Sequence, residues 1–154
     1  MKDFKPHTIN IDIKTNFEKE TYFLYSEVHI TGYGKDETRT IYNGRVEYKE
    51  FDYIKYYLEM LRDSYKKDFN GVITISIHNR IICSIDKLIE TITPKLFMEM
   101  VNLEKNIYQS NKNVAIGYLY NFDKRTLNNL QKQTTKDINN LINDFKGELL
   151  CNAI

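Results

Sequence analysis

The stretch Gly71-Val-Ile-Thr-Ile-Ser-Ile-His-Asn-Arg-Ile-Ile-Cys-Ser-Ile85 is the most apolar and most β-branched part of the chain, and its reading decides the rest. Ile73, Ile75 and Ile77 alternate with Thr74 and Ser76, the period of a strand with one buried face. After His78-Asn79-Arg80 the sequence turns apolar again. A loop of roughly three residues, with Asn79 or Arg80 in the left-handed region, pairs Ile77 with Ile81, Ile75 with Cys83 and Ile73 with Ile85. A loop one residue shorter sets Ile77 opposite Arg80 and Ile73 opposite Ser84, so burial favours the longer loop. This hairpin is expected at the centre of an antiparallel sheet.

Toward the N-terminus the same period recurs. From His7 to Lys14, Ile9, Ile11 and Ile13 alternate with polar residues, a half-buried strand. Thr15-Asn16-Phe17-Glu18-Lys19 reads as a polar connection to a second strand over Thr21 to Thr31, where Tyr22, Leu24, Val28 and Ile30 share a face. Gly32-Tyr33-Gly34-Lys35-Asp36 is a turn cluster. A third strand over Glu37 to Tyr42 meets Asn43-Gly44, a strong hairpin signal, and returns as Arg45 to Lys49. The first third is thus expected to be a meander of about four strands.

From Glu50 the period changes to that of a helix, with Phe51, Ile54, Leu58, Leu61 and Tyr65 on one stripe. Asp68 to Gly71 ends it. Beyond the hairpin, residues 86–93 are compatible with strand or helix. Thr93-Pro94 is a capping residue followed by a proline suited to the first helical position, so a helix starts here and buries Leu96, Met100, Leu103 and Ile107. Ser110 to Asn113 is expected to break it, and Val114 to Tyr120 to form a strand buried on both faces. Asp123 can cap a last helix in which Leu127, Leu130, Ile138, Leu141, Phe145 and Leu149 recur at near-heptad spacing. That stripe either docks on the sheet or pairs with a second copy. The fold class is therefore α+β: a single domain over residues 1–154, with an antiparallel sheet (meander plus central hairpin) and two or three helices packed on one face.

A chain of 154 residues can bury about two thirds of its unfolded surface without a disulfide or metal. Lys and Arg total 22 against 21 Asp and Glu; the net charge of +1 provides no general field toward nucleic acid or an anionic membrane, although local patches remain possible. No run approaches the ~20 apolar residues of a membrane span, and the N-terminus lacks a signal-like apolar core, so a cytosolic location is expected. Of the two cysteines, Cys83 sits on the apolar strand and Cys151 near the C-terminus, and no disulfide between them is expected. The abundance of Ile, Lys, Asn and Tyr is what an AT-rich genome encodes, which fits a low-GC bacterium or its phage.

No catalytic constellation emerges. His29-Ile30-Thr31 has the local form His-hydrophobic-Thr used by two-histidine phosphodiesterases, but such chemistry needs a second motif so that one imidazole acts as base and the other as acid. His7-Thr8-Ile9 has the wrong order, and His78-Asn79-Arg80 sits in a turn. The three histidines lack the close spacing of a zinc site, Cys83 is expected to be an inert core thiol, and Gly32 and Gly34 form no phosphate loop. No metal or cofactor is implied.

Tyrosine stands out instead. Tyr53, Tyr56 and Tyr57 cluster on the first helix beside its buried stripe, and Tyr33, Tyr42 and Tyr48 lie in or near the meander with Arg39 and Arg45. Tyr and Arg are enriched at binding hot spots. The expectation is a non-enzymatic cytosolic binding protein, such as an immunity or anti-defence inhibitor of a protein partner, with Tyr53, Tyr56, Tyr57, Tyr33, Arg39, Arg45 and His29 as candidate binding residues. The alternative is a nucleotide or small-molecule module, sequestering or hydrolysing its ligand, with the Tyr and Arg side chains and His29 lining a pocket. Membrane and nucleic-acid partners are not expected. Self-association through Leu127, Leu130, Ile138, Leu141 and Phe145 is compatible with both.

Overall fold

A computed structural model describes residues 8–32, 38–67 and 69–151, apart from the side chains of 38–43, 150 and 151. Three long strands come first: β1 (Thr8–Glu18), β2 (Thr21–Thr31) and β3 (Thr38–Tyr48). Helix α1 (Asp52–Lys66) follows, then β4 (Ile73–Ile77), β5 (Arg80–Ser84) and helices α2 (Ile85–Thr91), α3 (Pro94–Leu119) and α4 (Lys124–Cys151). The strands form one sheet in the order β3-β2-β1-β4-β5.

The α+β class holds, but the sheet is mixed and the described helices number four. β1 and β4 pair in parallel, Ile9 beside Ile73 and Ile11 beside Ile75, which puts β1 in the middle of the sheet and the β4–β5 hairpin at its edge. Both isoleucine sets are buried on the same face. Alternation alone cannot distinguish a parallel from an antiparallel neighbour, because either presents every second side chain to that face.

The hairpin itself departs from the expected loop. His78 and Asn79 both have positive φ, 50° and 62°, which defines a two-residue turn of the I′ kind. Ile77 therefore faces Arg80 and Ser76 faces Ile81; a bulge between Ile75 and Ser76 then restores the expected pair of Ile75 with Cys83. The bulge directs Ile82 inward, where it is buried, and leaves Ile81 exposed. Burial is thus satisfied by a bulge rather than by a longer loop. Ile73 does not pair with Ile85, because Ser84 ends the strand and caps α2, its hydroxyl accepting the Lys87 N–H at 3.1 Å. Residues 86–93 are resolved as this short helix and the extended link to α3.

Three further expectations are corrected. β1 does not stop at Lys14: Thr15 to Glu18 continue it, and only Lys19 and Glu20, with φ of 49° and 66°, make the turn into β2. Asn43-Gly44 is not a turn, for β3 runs straight through it beside β2, Asn43 opposite Glu27 and Gly44 opposite Ser26. A hairpin there would leave about half of the outer edge of β2 unpaired, so ladder hydrogen bonds outweigh the local turn preference. Val114 to Tyr120 is not a strand. α3 passes through Ser110 to Asn113 unbroken, and Gly117 of that segment is buried toward α4 while Ile116, Tyr118, Leu119 and Tyr120 are exposed.

The helices cover one face. Ile54, Leu58 and Leu61 of α1, Leu96, Phe97, Met100 and Ile107 of α3, and Ile138, Ile142, Phe145 and Leu149 of α4 join the strand isoleucines in one core. Burying each such side chain contributes roughly 1.5–3 kcal/mol. The capping signals read from the sequence are present: Thr93 accepts the Leu96 N–H, and Asp123 accepts the Thr126 N–H at 3.0 Å. The α4 stripe is spent inside the chain. Ile138 and Phe145 are buried, Leu141 packs on the core, and Leu127 and Leu130 lie against Gly117 of α3. Pairing between copies through these residues would have to open that packing. Among the described residues no helix is long and apolar enough to cross a membrane.

Candidate functional site

Among the described residues, two surfaces gather the candidate side chains. The first is aromatic. Tyr48 of β3 and Tyr53 of α1 stack with centroids 5.0 Å apart at 20°, and Tyr56 stands 6.3 Å from Tyr53 on the outer side of the helix. Tyr53 and Tyr56 are 51% and 65% exposed, and Met60 continues the patch at 57%. Tyr57 does not belong to it. Its position one residue on turns it into the core, where its hydroxyl meets Ser26 of β2 at 2.8 Å.

The other predicted binding residues scatter. Tyr33 and the Arg39 side chain lie outside the described residues. Arg45 lies on the uncovered face of the sheet, its guanidinium 5.6 Å from the ring centroid of Phe23 and 5.8 Å from that of Tyr25, and it pairs with Glu47. His29 is on the same face, 3.6 Å from Glu27. Neither is near the tyrosines of α1, because β-strand alternation sends Arg45 and Tyr48 to opposite faces.

The second surface was not anticipated. It surrounds the far half of β1. On the uncovered face, Asp12, Lys14, Tyr25, Glu27, His78 and Asn79 line a cleft of about 320 Å³. Around the strand edge, Lys14, Thr15, Asn16, Glu104, Lys105 and Tyr108 are among the residues bounding a larger cleft, about 710 Å³, between β1 and α3. Lys14, Tyr25 and His78 line both.

Polar side chains are organised around these clefts. Asn10 donates to Thr74 Oγ1 at 2.8 Å, and the Ser76 hydroxyl lies 2.9 Å from Asn10 Oδ1 and 3.2 Å from Asp12 Oδ1. Burial raises the Asp12 pKa above the ordinary carboxylate value, against the opposing effects of the Ser76 hydrogen bond, the Asn79 N–H, and the nearby His78 and His29. His78 Nε2 lies 3.2 Å from Glu104 Oε2. The other Glu104 oxygen and the Thr15 hydroxyl are buried without a hydrogen-bond partner. Such atoms are costly to leave unmet, by about 1–3 kcal/mol each.

The residues of this surface come from β1, β2, the β4–β5 turn and α3, so no local motif announces them. One signal was available. Alternation continues past Ile13 through Thr15 and Phe17, giving an 11-residue strand that the 5-residue β4 cannot cover. Cys83 lies apart, its thiol pushed up to about 11 by burial, so it is protonated at neutral pH. Among the described residues no group of three or more His, Cys, Asp or Glu side chains is placed to hold a metal ion. No family model, no curated protein and no solved structure matches the chain.

Proposed function

We propose that the protein is a cytosolic, non-catalytic binding protein whose partner is another protein, engaged through Tyr48, Tyr53 and Tyr56. The observation that carries this reading is the exposed pair Tyr53 and Tyr56 on the outer side of α1, with Tyr53 stacked on the half-buried Tyr48 of β3. Rings that already brace one another lose little freedom on binding and offer large contact area, the property that makes Tyr a hot-spot residue. A protein that acts by occupying a partner's surface, as an immunity or anti-defence inhibitor does, requires no chemistry beyond this. The nucleotide reading draws less support from geometry: the Arg45 guanidinium is taken up by the rings of Phe23 and Tyr25, 5.6 and 5.8 Å from their centroids, and by Glu47.

A photo-crosslinking residue at position 56, with position 63 on the same helix as control, tests the reading in extracts of the cells that naturally express the protein. A discrete adduct is expected at position 56 alone, competed by unlabelled protein and lost on Tyr53→Ala. Equal labelling at both positions, or an adduct indifferent to Tyr53→Ala, would remove the tyrosines as the contact.

A further inference from the structure

We propose that the edge of β1 beyond Ile13, from Lys14 to Glu18, receives an extended peptide of a partner protein as an added strand, in line with β4 and beside α3. This surface is separate from the tyrosine ladder and its assignment does not rest on that reading. β2 pairs β1 along its whole length, Thr8 with Thr31 to Glu18 with Thr21. β4 pairs it only from Ile9 with Ile73 to Asp12 with Ser76, then turns away at His78-Asn79. Beyond Asp12 no described strand lies on that side.

The turn geometry says which backbone groups face the gap. In a two-residue turn such as Lys19-Glu20, the flanking residues, Glu18 and Thr21, form a hydrogen-bonded pair. Such pairs recur at every second residue of an antiparallel ladder. Even-numbered residues of β1 therefore direct their N–H and C=O groups to β2, and odd-numbered ones direct theirs away. Ile9 and Ile11 meet β4; Thr15 and Phe17 meet no described strand on that side. The Phe17 N–H confirms the direction, since it is capped by Asn16 Oδ1 at 2.8 Å. No described strand takes the Thr15 N–H and C=O or the Phe17 C=O, a span suited to a short peptide and too short for open-ended association; Thr15 is 6% exposed, so the incoming strand has to part the atoms that cover it.

The side chains at the gap define the occupant further. The 710 Å³ cleft beside α3 takes every second peptide side chain; Thr15 and Glu104, each holding one buried oxygen with no hydrogen-bond partner, are among the residues that line it, together with Lys14, His78 and Lys105. A carboxylate oxygen in that position calls for a cationic donor, so the peptide carries Lys or Arg at the residue entering beside Glu104. The alternate side chains emerge over Lys14 and Tyr25 on the uncovered face, where acidic or aromatic residues fit.

The test uses the intact protein and an array of eight-residue peptides that alternate β-branched residues with Lys, Glu or Ser. Peptides with Lys in the cleft register are expected to bind. In those peptides, N-methylation of the amide facing Thr15 should weaken binding about tenfold, the worth of one hydrogen bond, while methylation one residue away changes it less than about threefold. Binding should also slow exchange of the Thr15 amide, and Glu104→Gln should erase the preference for Lys over Ser. Binding indifferent to N-methylation, or no binding by any peptide, would overturn the assignment. So would protection of Thr15 by ADP alone, which would make the cleft a nucleotide site.

Discussion

Replacing Tyr57 by Phe removes one oxygen from the interior and leaves the ring in place. That oxygen lies 2.8 Å from the Ser26 hydroxyl, and the two residues are only 5% and 2% exposed, so water cannot replace the lost partner. The cost of an orphaned buried hydroxyl is about 2 kcal/mol, or roughly 4–8 °C in melting temperature for a chain of this size. Ser26→Ala removes the other hydroxyl, and its cost is read in the same experiment. The double variant removes both polar groups together, so its destabilisation should fall short of the sum by about 1 kcal/mol or more. Urea unfolding of the four proteins closes the cycle. Strict additivity would show that α1 and β2 do not meet through these hydroxyls. Unchanged stability in Tyr57→Phe, with weakened partner binding, would return Tyr57 to the interaction surface.

Other consequences are simpler to read. Lys19 and Glu20 occupy left-handed backbone that non-glycine residues enter at about 1–2 kcal/mol each, so the double change Lys19→Asn and Glu20→Gly should raise the urea midpoint without altering the m-value. Cys83, its thiol held protonated by burial, should resist iodoacetamide at pH 8 in the native state and react readily in urea, as peptide mapping would show. The Glu99 carboxyl is held above its ordinary range by a hydrogen bond with Glu148, by burial and by the Glu148 charge. Because the raised value favours the protonated form in the fold, its contribution is present below the unfolded pKa of 4.5 and lost as pH rises through the higher folded value. Glu99→Gln should therefore flatten the fall in unfolding free energy measured by urea titration as pH is raised from 4 toward neutrality; an unchanged slope would remove this pair as the cause.

Residues whose fate is settled locally were legible in the sequence. The alternation of Ile9, Ile11 and Ile13, the stripe of Ile54, Leu58 and Leu61, and the Thr93-Pro94 and Asp123 starts are each decided within one or two turns of chain. What failed to show was decided by distant partners. Asn43-Gly44 is overridden by β2, the parallel pairing of β1 with β4 spans the whole first half of the chain, and Val114 to Tyr120 is helical because α4 offers a partner. An apolar run alone does not separate helix from strand. The candidate sites divide in the same way. Tyr53 and Tyr56 follow from helical spacing, and Tyr57 was misplaced by a single step around the helix. The β1 edge was invisible because it is created by where β4 stops.

The arrangement of β1 at the centre of the sheet, with its second half uncovered, is tested most directly by residue-resolved amide hydrogen exchange on the free protein. Lys14 and Asn16, bonded to β2, and Ile11, bonded to β4, should exchange slowly, while Thr15 between them exchanges orders of magnitude faster. A Thr15 amide as protected as those of Ile11 and Lys14 would mean that the edge is already filled, and would contradict the account.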